Sequence, residues 1–254
     1  MSHLLTDKIA VIYGAGGGIG GGVARTFARE GARVFLAGRT RAPLEAVAAD
    51  IGDAAEIAVL DALDEQAVDA HAQDVAARAG AIDISFNLIT RGDAQGTPLV
   101  DMRWEDVARA VDVGLRSSWV TARAAARNGA GVILYLTSAS SRGGMPGMGS
   151  TGPADAVQET LMRYLAAELG PQGVRVVGIH TAGVAGTLSR AKVEDVNPDG
   201  PSSAEIERMI AGMSILRRAP RLQEVADTAA FLASDRAASI TGTIVNTTSG
   251  LVLG

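Results

Sequence analysis

Short apolar runs alternate with longer amphipathic stretches along the whole chain, the arrangement expected of βα units that feed a parallel sheet. Strands are predicted at Lys8–Tyr13, Arg33–Ala37, Glu56–Leu60, Ile82–Leu88, Gly131–Thr137, Val174–Ile179 and Thr243–Asn246. Helices are predicted over Gly20–Glu30, from Pro43 to Asp50, over Glu65–Ala79, across most of Asp101–Arg127, over Pro153–Leu169 and over Gln223–Leu232. Gly31, Gly80 and Gly170-Pro171 supply the stops. Residues 183–214 follow neither period and are expected to be irregular, with Asn197-Pro-Asp-Gly-Pro-Ser-Ser203 as a surface loop over a site. No linker and no internal repeat divides the pattern, so residues 1–254 read as one α/β domain.

Composition narrows the chemistry. The chain has 254 residues, 47% hydrophobic and 20% charged, enough for one sizeable core. A net charge of −5 gives no basic footprint, so no nucleic-acid partner is expected. Zero Cys removes disulfides, thiolate metal sites and thiol nucleophiles together. With only His3, His71 and His180 besides, no metal site is expected. No apolar run approaches a membrane span, and the start, Met1-Ser-His-Leu-Leu-Thr-Asp, is too short and polar for a signal peptide. A soluble, cytoplasmic protein is the expectation. Of 23 basic residues only Lys8 and Lys192 are lysines, which makes a catalytic ammonium hard to supply.

Tyr13-Gly14-Ala15-Gly16-Gly17-Gly18-Ile19-Gly20 falls where the first strand hands over to the first helix. Glycines there let the backbone approach a pyrophosphate, and the helix N-terminus offers N–H groups and a positive dipole end. The competing account is a tight turn without a ligand. After the second strand an acid would favour NAD(H), but the chain reads Ala37-Gly38-Arg39-Thr40-Arg41. A guanidinium pairs bidentately with a 2′-phosphate, which favours NADP(H) over NAD(H); the alternative is a solvated surface Arg39.

With these residues in view the chain resembles the short-chain dehydrogenases/reductases nearly end to end. The family's Gly-x-x-x-Gly-x-Gly falls on Gly14, Gly18 and Gly20, and its adenine-contacting Asp on Asp61. Glu224-Val-Ala-Asp-Thr228, Phe231-Leu-Ala-Ser-Asp235 and Ile240-Thr-Gly242 resemble its C-terminal half. The resemblance implies a single Rossmann-like, doubly wound parallel sheet of about seven strands with helices on both faces. It also implies a small-molecule substrate, a dinucleotide along the C-terminal edge of the sheet, and a homodimer or homotetramer. The family's catalytic Ser falls on Ser138. Its Tyr, thirteen residues later, falls on Thr151, and its Lys on Asp155; its helical Asn becomes Gly114. Of the Asn-Asn-Ala-Gly stretch only Asn87 remains, and Pro-Gly becomes Ala182-Gly183.

These departures matter physically. An aliphatic hydroxyl is far less acidic than a phenol, so Thr151 cannot act as the acid. A carboxylate at 155 raises the pKa of a neighbouring acid where an ammonium lowers it. Loss of a positioned general acid costs on the order of 10²–10⁴ in rate. Tyr13, Tyr135 and Tyr164 lie away from the vacated position by spacing, and Lys192 would have to swing in from the loop. His180 at the end of the sixth strand is either a proton carrier or a hydrogen-bonded strand-end His. Asp155 is either an acid/base group or, behind Pro153, a first-turn acid complementing the helix dipole. A Ser138–His180–Asp155 hydrolytic arrangement has no spacing signature, and Arg142 is either an anion contact or a solvated loop residue.

Three functions follow. The first is an NADP(H)-dependent oxidoreductase with an altered site: Ser138 would polarise the acceptor and water, Asp155 or His180 would handle the proton, and carbon–carbon or imine acceptors would suit it. The second is a non-catalytic dinucleotide or ligand binder. The third is a lyase, isomerase or cyclase using the same pocket. Restoring Tyr at 151 and Lys at 155 together is expected to raise carbonyl reduction if the pocket is otherwise intact.

Overall fold

In the computed structural model, which describes residues 3–188 and 200–253, seven parallel strands form one sheet. They are β1 (Ile9–Tyr13), β2 (Arg33–Gly38), β3 (Ala55–Val59), β4 (Ile84–Asn87), β5 (Val132–Ser138), β6 (Arg175–Thr181) and β7 (Ile244–Asn246). The helices are α1 (Gly18–Arg29), α2 (Arg41–Ile51), α3 (Glu65–Ala79), α4 (Trp104–Arg127), α5 (Thr151–Leu169), α6 (Ser203–Met213) and α7 (Leu222–Ala233).

The strand order is β3-β2-β1-β4-β5-β6-β7. The chain therefore reverses its winding between β1 and β4, and a crevice opens there at the carboxyl ends of the strands. Tyr13 pairs with Ala37 on one side and Asn87 on the other, so β1, β2 and β4 end at one level. On the other half Ser138 lies opposite Thr181.

Alternation along each strand feeds two cores. Ala10, Ile12, Val34, Leu36, Ile84 and Phe86 face α1, α2 and α7. Val11, Tyr13, Phe35 and Ala37 face α3 and α4, while Ile133, Tyr135 and Val176 meet α4 and α5. Strands buried on both faces carry near-continuous apolar runs, which is why the strand positions were legible.

Three boundaries change the reading of the site. α5 starts at Thr151, so Asp155 lies in its second turn, no acid occupies the first turn, and the dipole account of Asp155 fails. β6 runs to Thr181 and takes His180 into the sheet. The segment 183–214 is not wholly irregular: Ser202 caps α6 in a reciprocal box with Glu205, a Ser-x-x-Glu signal that the sequence carried. Lys192, with Ser189 and Arg190, lies outside the described residues. Among the described residues no helix is long and apolar enough to cross a membrane.

Candidate active site

Two connected hollows follow the carboxyl edge of the sheet and share Gly17, Leu88, Ile89 and Thr90. The first, about 200 Å³, lies between the glycine turn, Arg39 and Asp61. The second, about 240 Å³, runs past Ile19, Gly20 and Asn87 to Ser138, Thr151 and Asp155.

The turn is built around its glycines. Gly14 has φ +76°, and a Cβ there would stand 2.5 Å from the Leu88 carbonyl oxygen. A Cβ on Gly20 would run into the Gly14 carbonyl, so side chains are barred where the turn closes. Gly17 N–H donates to Gly14 O at 3.0 Å, and the first bond inside the helix is Gly21 N–H to Gly17 O at 2.7 Å. The N–H groups of Gly18, Ile19 and Gly20 thus belong to an uncapped first turn with no acid beside it, an arrangement that attracts an anion.

Gly16 lines the first hollow, whose far wall carries Arg39 and Asp61. Arg39 is exposed, and among the described residues no carboxylate pairs with it. One oxygen of Asp61 accepts from Leu63 N–H at 3.0 Å, leaving the other open. Asn87 borders the second hollow, but its amide braces β4 to α4. It donates to Ser117 Oγ at 3.0 Å and Ser118 Oγ at 3.3 Å, and its oxygen accepts from Ile89 N–H. This geometry fits an extended dinucleotide: a donor-lined cradle in the middle, a cation at one end and hydroxyls at the other.

The far end is a chain of hydrogen bonds that the sequence reading missed. Arg91, on the loop after β4, donates from Nη1 to Asp155 Oδ1 at 2.5 Å and to Gln158 at 3.1 Å, and pairs with Asp93 at 3.1 Å. Asp155 Oδ2 accepts from both Ser138 Oγ at 2.5 Å and Ser138 N–H at 3.0 Å. Ser138 Oγ in turn accepts from Ser140 N–H at 3.2 Å. The shaft of Arg91 lies over Gly114, where a Cβ would come 2.7 Å from its Cδ. The available signal was position: a basic residue just beyond a strand's carboxyl end stands at the crevice.

Burial raises the Asp155 pKa, and the attraction of Arg91 and the Ser138 hydrogen bonds only partly offset this. Burial pulls Arg91 down, but Asp155 and Asp93 more than compensate and its pKa stands raised. Arg91 therefore stays charged, and Asp155 is a stronger base than a solvated carboxylate. Thr151 Oγ1 accepts from Gln95 at 2.9 Å. Among the described residues nothing takes its proton. Thr181 Oγ1 is buried on the same hollow with no partner among the described residues.

His180 stands apart. Its Nε2 meets Glu159 at 2.6 Å and Ser141 Oγ at 3.2 Å, and its ring lines neither hollow. Because both partners share one nitrogen, no Ser–His–acid relay forms there, and Ser138 bonds to Asp155 with no imidazole between. Burial alone would raise Glu159, yet hydrogen bonds from His180, Ser141 and Thr137 hold it below its ordinary value. The tyrosines do not fill the gap either: burial pushes the phenols of Tyr13 and Tyr135 up, and Tyr164 faces outward. Arg142 is exposed beyond the turn after β5.

A doubly wound sheet with a glycine cradle at its switch point and a polar end-chamber defines a nucleotide-binding α/β protein of the dehydrogenase type. A family profile described as Enoyl-(Acyl carrier protein) reductase matches residues 14–252. The 7alpha-hydroxysteroid dehydrogenase of Escherichia coli strain K12 is 30% identical over 253 residues, 97% of this chain and 94% of that protein. The NADH-named enoyl-[acyl-carrier-protein] reductase of Synechocystis is 34% identical over 195 residues, 75% of this chain and 72% of that protein. Carveol dehydrogenase from Mycobacterium avium, solved in complex with NAD, superposes with a TM-score of 0.87 at 24% identity, covering 99% of this chain and 100% of that one, a likeness of fold. The chain belongs to the short-chain dehydrogenase/reductase family of oxidoreductases.

Proposed function

We propose that this protein is an NADP(H)-preferring oxidoreductase acting on a small organic substrate, with Ser138, Thr151, Asp155 and Arg91 in place of the family's usual catalytic set. The observation that carries the reading is the continuity of the hollow from Arg39, through the N–H cradle of Gly18, Ile19 and Gly20, to Ser138. A bound dinucleotide supplies hydride exchange. Gly14, Gly16, Gly18, Ile19 and Gly20 would hold its phosphates, Asp61 the adenine end, and Arg39 a 2′-phosphate. Relatives named for NAD or NADH support the cofactor class, and Arg39 supports the phosphorylated form.

At the reacting end, Thr151 and Asp155 stand one helical turn apart on α5, at the positions where the family carries its Tyr and Lys. Arg91 restores a fixed positive charge to the chamber from a different element. Calorimetric titration with NADPH and NADH tests the reading: tight NADPH and weak NADH binding is expected, and binding of neither would refute it. A dinucleotide binder without turnover is the second reading, favoured by the lack of an acidic phenol beside Ser138. Turnover on a substrate panel separates the two.

Assembly as a homodimer or homotetramer belongs to the same proposal. It is supported by the exposed apolar surface where Leu115 of α4 meets Val157, Leu161 and Tyr164 of α5. Cytoplasmic residence, with no nucleic-acid or membrane partner, fits the acidic surface and completes it.

A further inference from the structure

Ser138 is wired in one direction. An ionised carboxylate only accepts hydrogen bonds, so the 2.5 Å contact to Asp155 Oδ2 uses the serine's single proton. Arg91 only donates, and its hold on Oδ1 keeps Asp155 facing Ser138 through Oδ2. Ser140 N–H takes one of the two lone pairs on Oγ. What Ser138 has left for a ligand is one lone pair and no proton. Thr151 is wired the opposite way, because Gln95 donates to its oxygen and its proton has no acceptor among the described residues.

Both residues line the second hollow, and a ligand oxygen that reached both hydroxyls would meet an acceptor in one and a donor in the other. A hydroxyl group satisfies both. A carbonyl oxygen satisfies only Thr151 and sets its own lone pairs against those of Ser138, leaving a desolvated polar atom unmatched.

We propose that the Asp155–Ser138 pair makes this chamber select an alcohol over the corresponding carbonyl compound, with Asp155 as the group that accepts the alcohol's proton through Ser138. The inference rests on the reading of the chamber as an oxidoreductase site. The proton count is closed. The substrate O–H breaks as its proton joins Ser138 Oγ, and the serine's former proton joins Asp155 Oδ2. The hydrogen on carbon and its electron pair are left to an oxidised nicotinamide dinucleotide. Once Asp155 is protonated, its O–H donates to Ser138 and turns the serine's proton toward the chamber, which then matches a carbonyl, the product. The groups facing Asp155 that set this balance are Arg91 and Asp93 from the loop after β4. Ser138 from β5 and Gln158 from α5 are neutral, and Glu159 and His180 form their own pair.

The test uses the full chain without added dinucleotide, titrated at neutral pH with cyclohexanol and cyclohexanone by ligand-observed NMR. Cyclohexanol is expected to bind about tenfold more tightly, the worth of one well-placed hydrogen bond against one mismatch. Ser138→Ala is expected to abolish the preference. Asp155→Asn is expected to reverse it: Arg91 fixes the amide oxygen, the NH₂ donates to Ser138 Oγ while the Ser138 N–H loses its acceptor, and the serine's proton turns into the chamber. Acidification should move the parent protein the same way. Equal binding, preference for the ketone, or binding of neither at the solubility limit overturns the proposal, as does an alcohol preference unchanged in folded Ser138→Ala. The dinucleotide titration is a separate readout: alcohol selection without dinucleotide binding defeats the broader functional reading and with it the role of Asp155 as proton acceptor in oxidation, whereas dinucleotide binding without alcohol selection defeats this inference alone.

Discussion

On the proposed assignment of Thr151 and Asp155 to the family's Tyr and Lys positions, restoring that pair is the obvious repair, and the structure predicts that these two changes alone fail. Asp155 is 1% exposed and is held at 2.5 Å by Arg91, whose side chain is 12% exposed. Asp155→Lys removes the anion from a buried pair and sets an ammonium against the guanidinium. Breaking such a pair costs about 3–5 kcal/mol. Because Asp93 stays on Arg91, the lower half of that range applies to the guanidinium itself, and the like charge adds to it. Against a total stability of about 5–15 kcal/mol this is a large fraction. At about 2–4 °C per kcal/mol for a chain of this size, the melting temperature should fall by roughly 6–20 °C.

Recovery requires Arg91 to leave and its place to be filled. Arg91→Ala removes the opposing cation, and Gly114→Asn occupies the space its shaft covered, where in the parent protein a Cβ would come 2.7 Å from Arg91 Cδ. The fourfold variant is therefore expected to regain most of the lost melting temperature. It should also show carbonyl reduction about 10²–10⁴-fold above the twofold variant. Thermal melts and NADPH consumption with a carbonyl panel read both quantities. A twofold variant melting within about 2 °C of the parent, or reducing carbonyls as fast as the fourfold one, would refute the coupling of positions 91, 114 and 155.

Three further outcomes are expected. Arg39→Ala should weaken NADPH binding by about 10–100-fold, the worth of a charge-assisted contact, and leave NADH binding unchanged in the same calorimeter. Gly20→Ala should abolish dinucleotide binding and lower the melting temperature, since a Cβ there meets the Gly14 carbonyl. Glu159 has a folded pKa below its unfolded value, so its contribution to stability is present above the unfolded glutamate range and is lost as the pH falls through the folded value. Melting temperature against pH should show that acid loss in the parent, and it should be shallower in Glu159→Gln.

The sheet was legible because strands buried on both faces must be apolar almost throughout, and the helices because their stops are Gly or Gly-Pro. The glycine turn was legible for a different reason: it concentrates backbone requirements that no other residue type meets. Helix α6 was overlooked because its turn-forming approach outweighed a single capping pair at Ser202 and Glu205. Of the two readings of His180, the hydrogen-bonded strand-end His is the one the structure shows, with its ring on Glu159 and Ser141. At a strand end, a shift of one residue decides whether a side chain faces the crevice or the helix behind it, and His180 faces Glu159. The place of Arg91 after β4 was a signal, but its bonds to Asp155 and Gln158 could not be read, because those partners lie 64 and 67 residues away and no local period links them.

That distance changes what the departures mean. Read singly, Gly114, Asp155 and the basic residue after β4 are one loss, one charge reversal and one loop residue. In the fold they are one arrangement: Gly114 clears the path, Arg91 crosses it, and Asp155 receives the guanidinium. An Arg at 91 without Asp155 would lose the nearer and more buried of its two anions, and Asp155 without Arg91 would be an uncompensated buried carboxylate. Either alone is costly, whereas together their charges cancel and the guanidinium donates directly to the carboxylate. On the proposed assignment of Asp155 to the family's Lys position, the chamber keeps a fixed cation but supplies it from the loop after β4, and the helix carries a carboxylate in exchange. A serine beside that carboxylate must turn its proton inward. The proposed polarity of Ser138 thus depends on Asp155, 17 residues away, and through it on Arg91, as well as on the neighbouring Ser140 N–H.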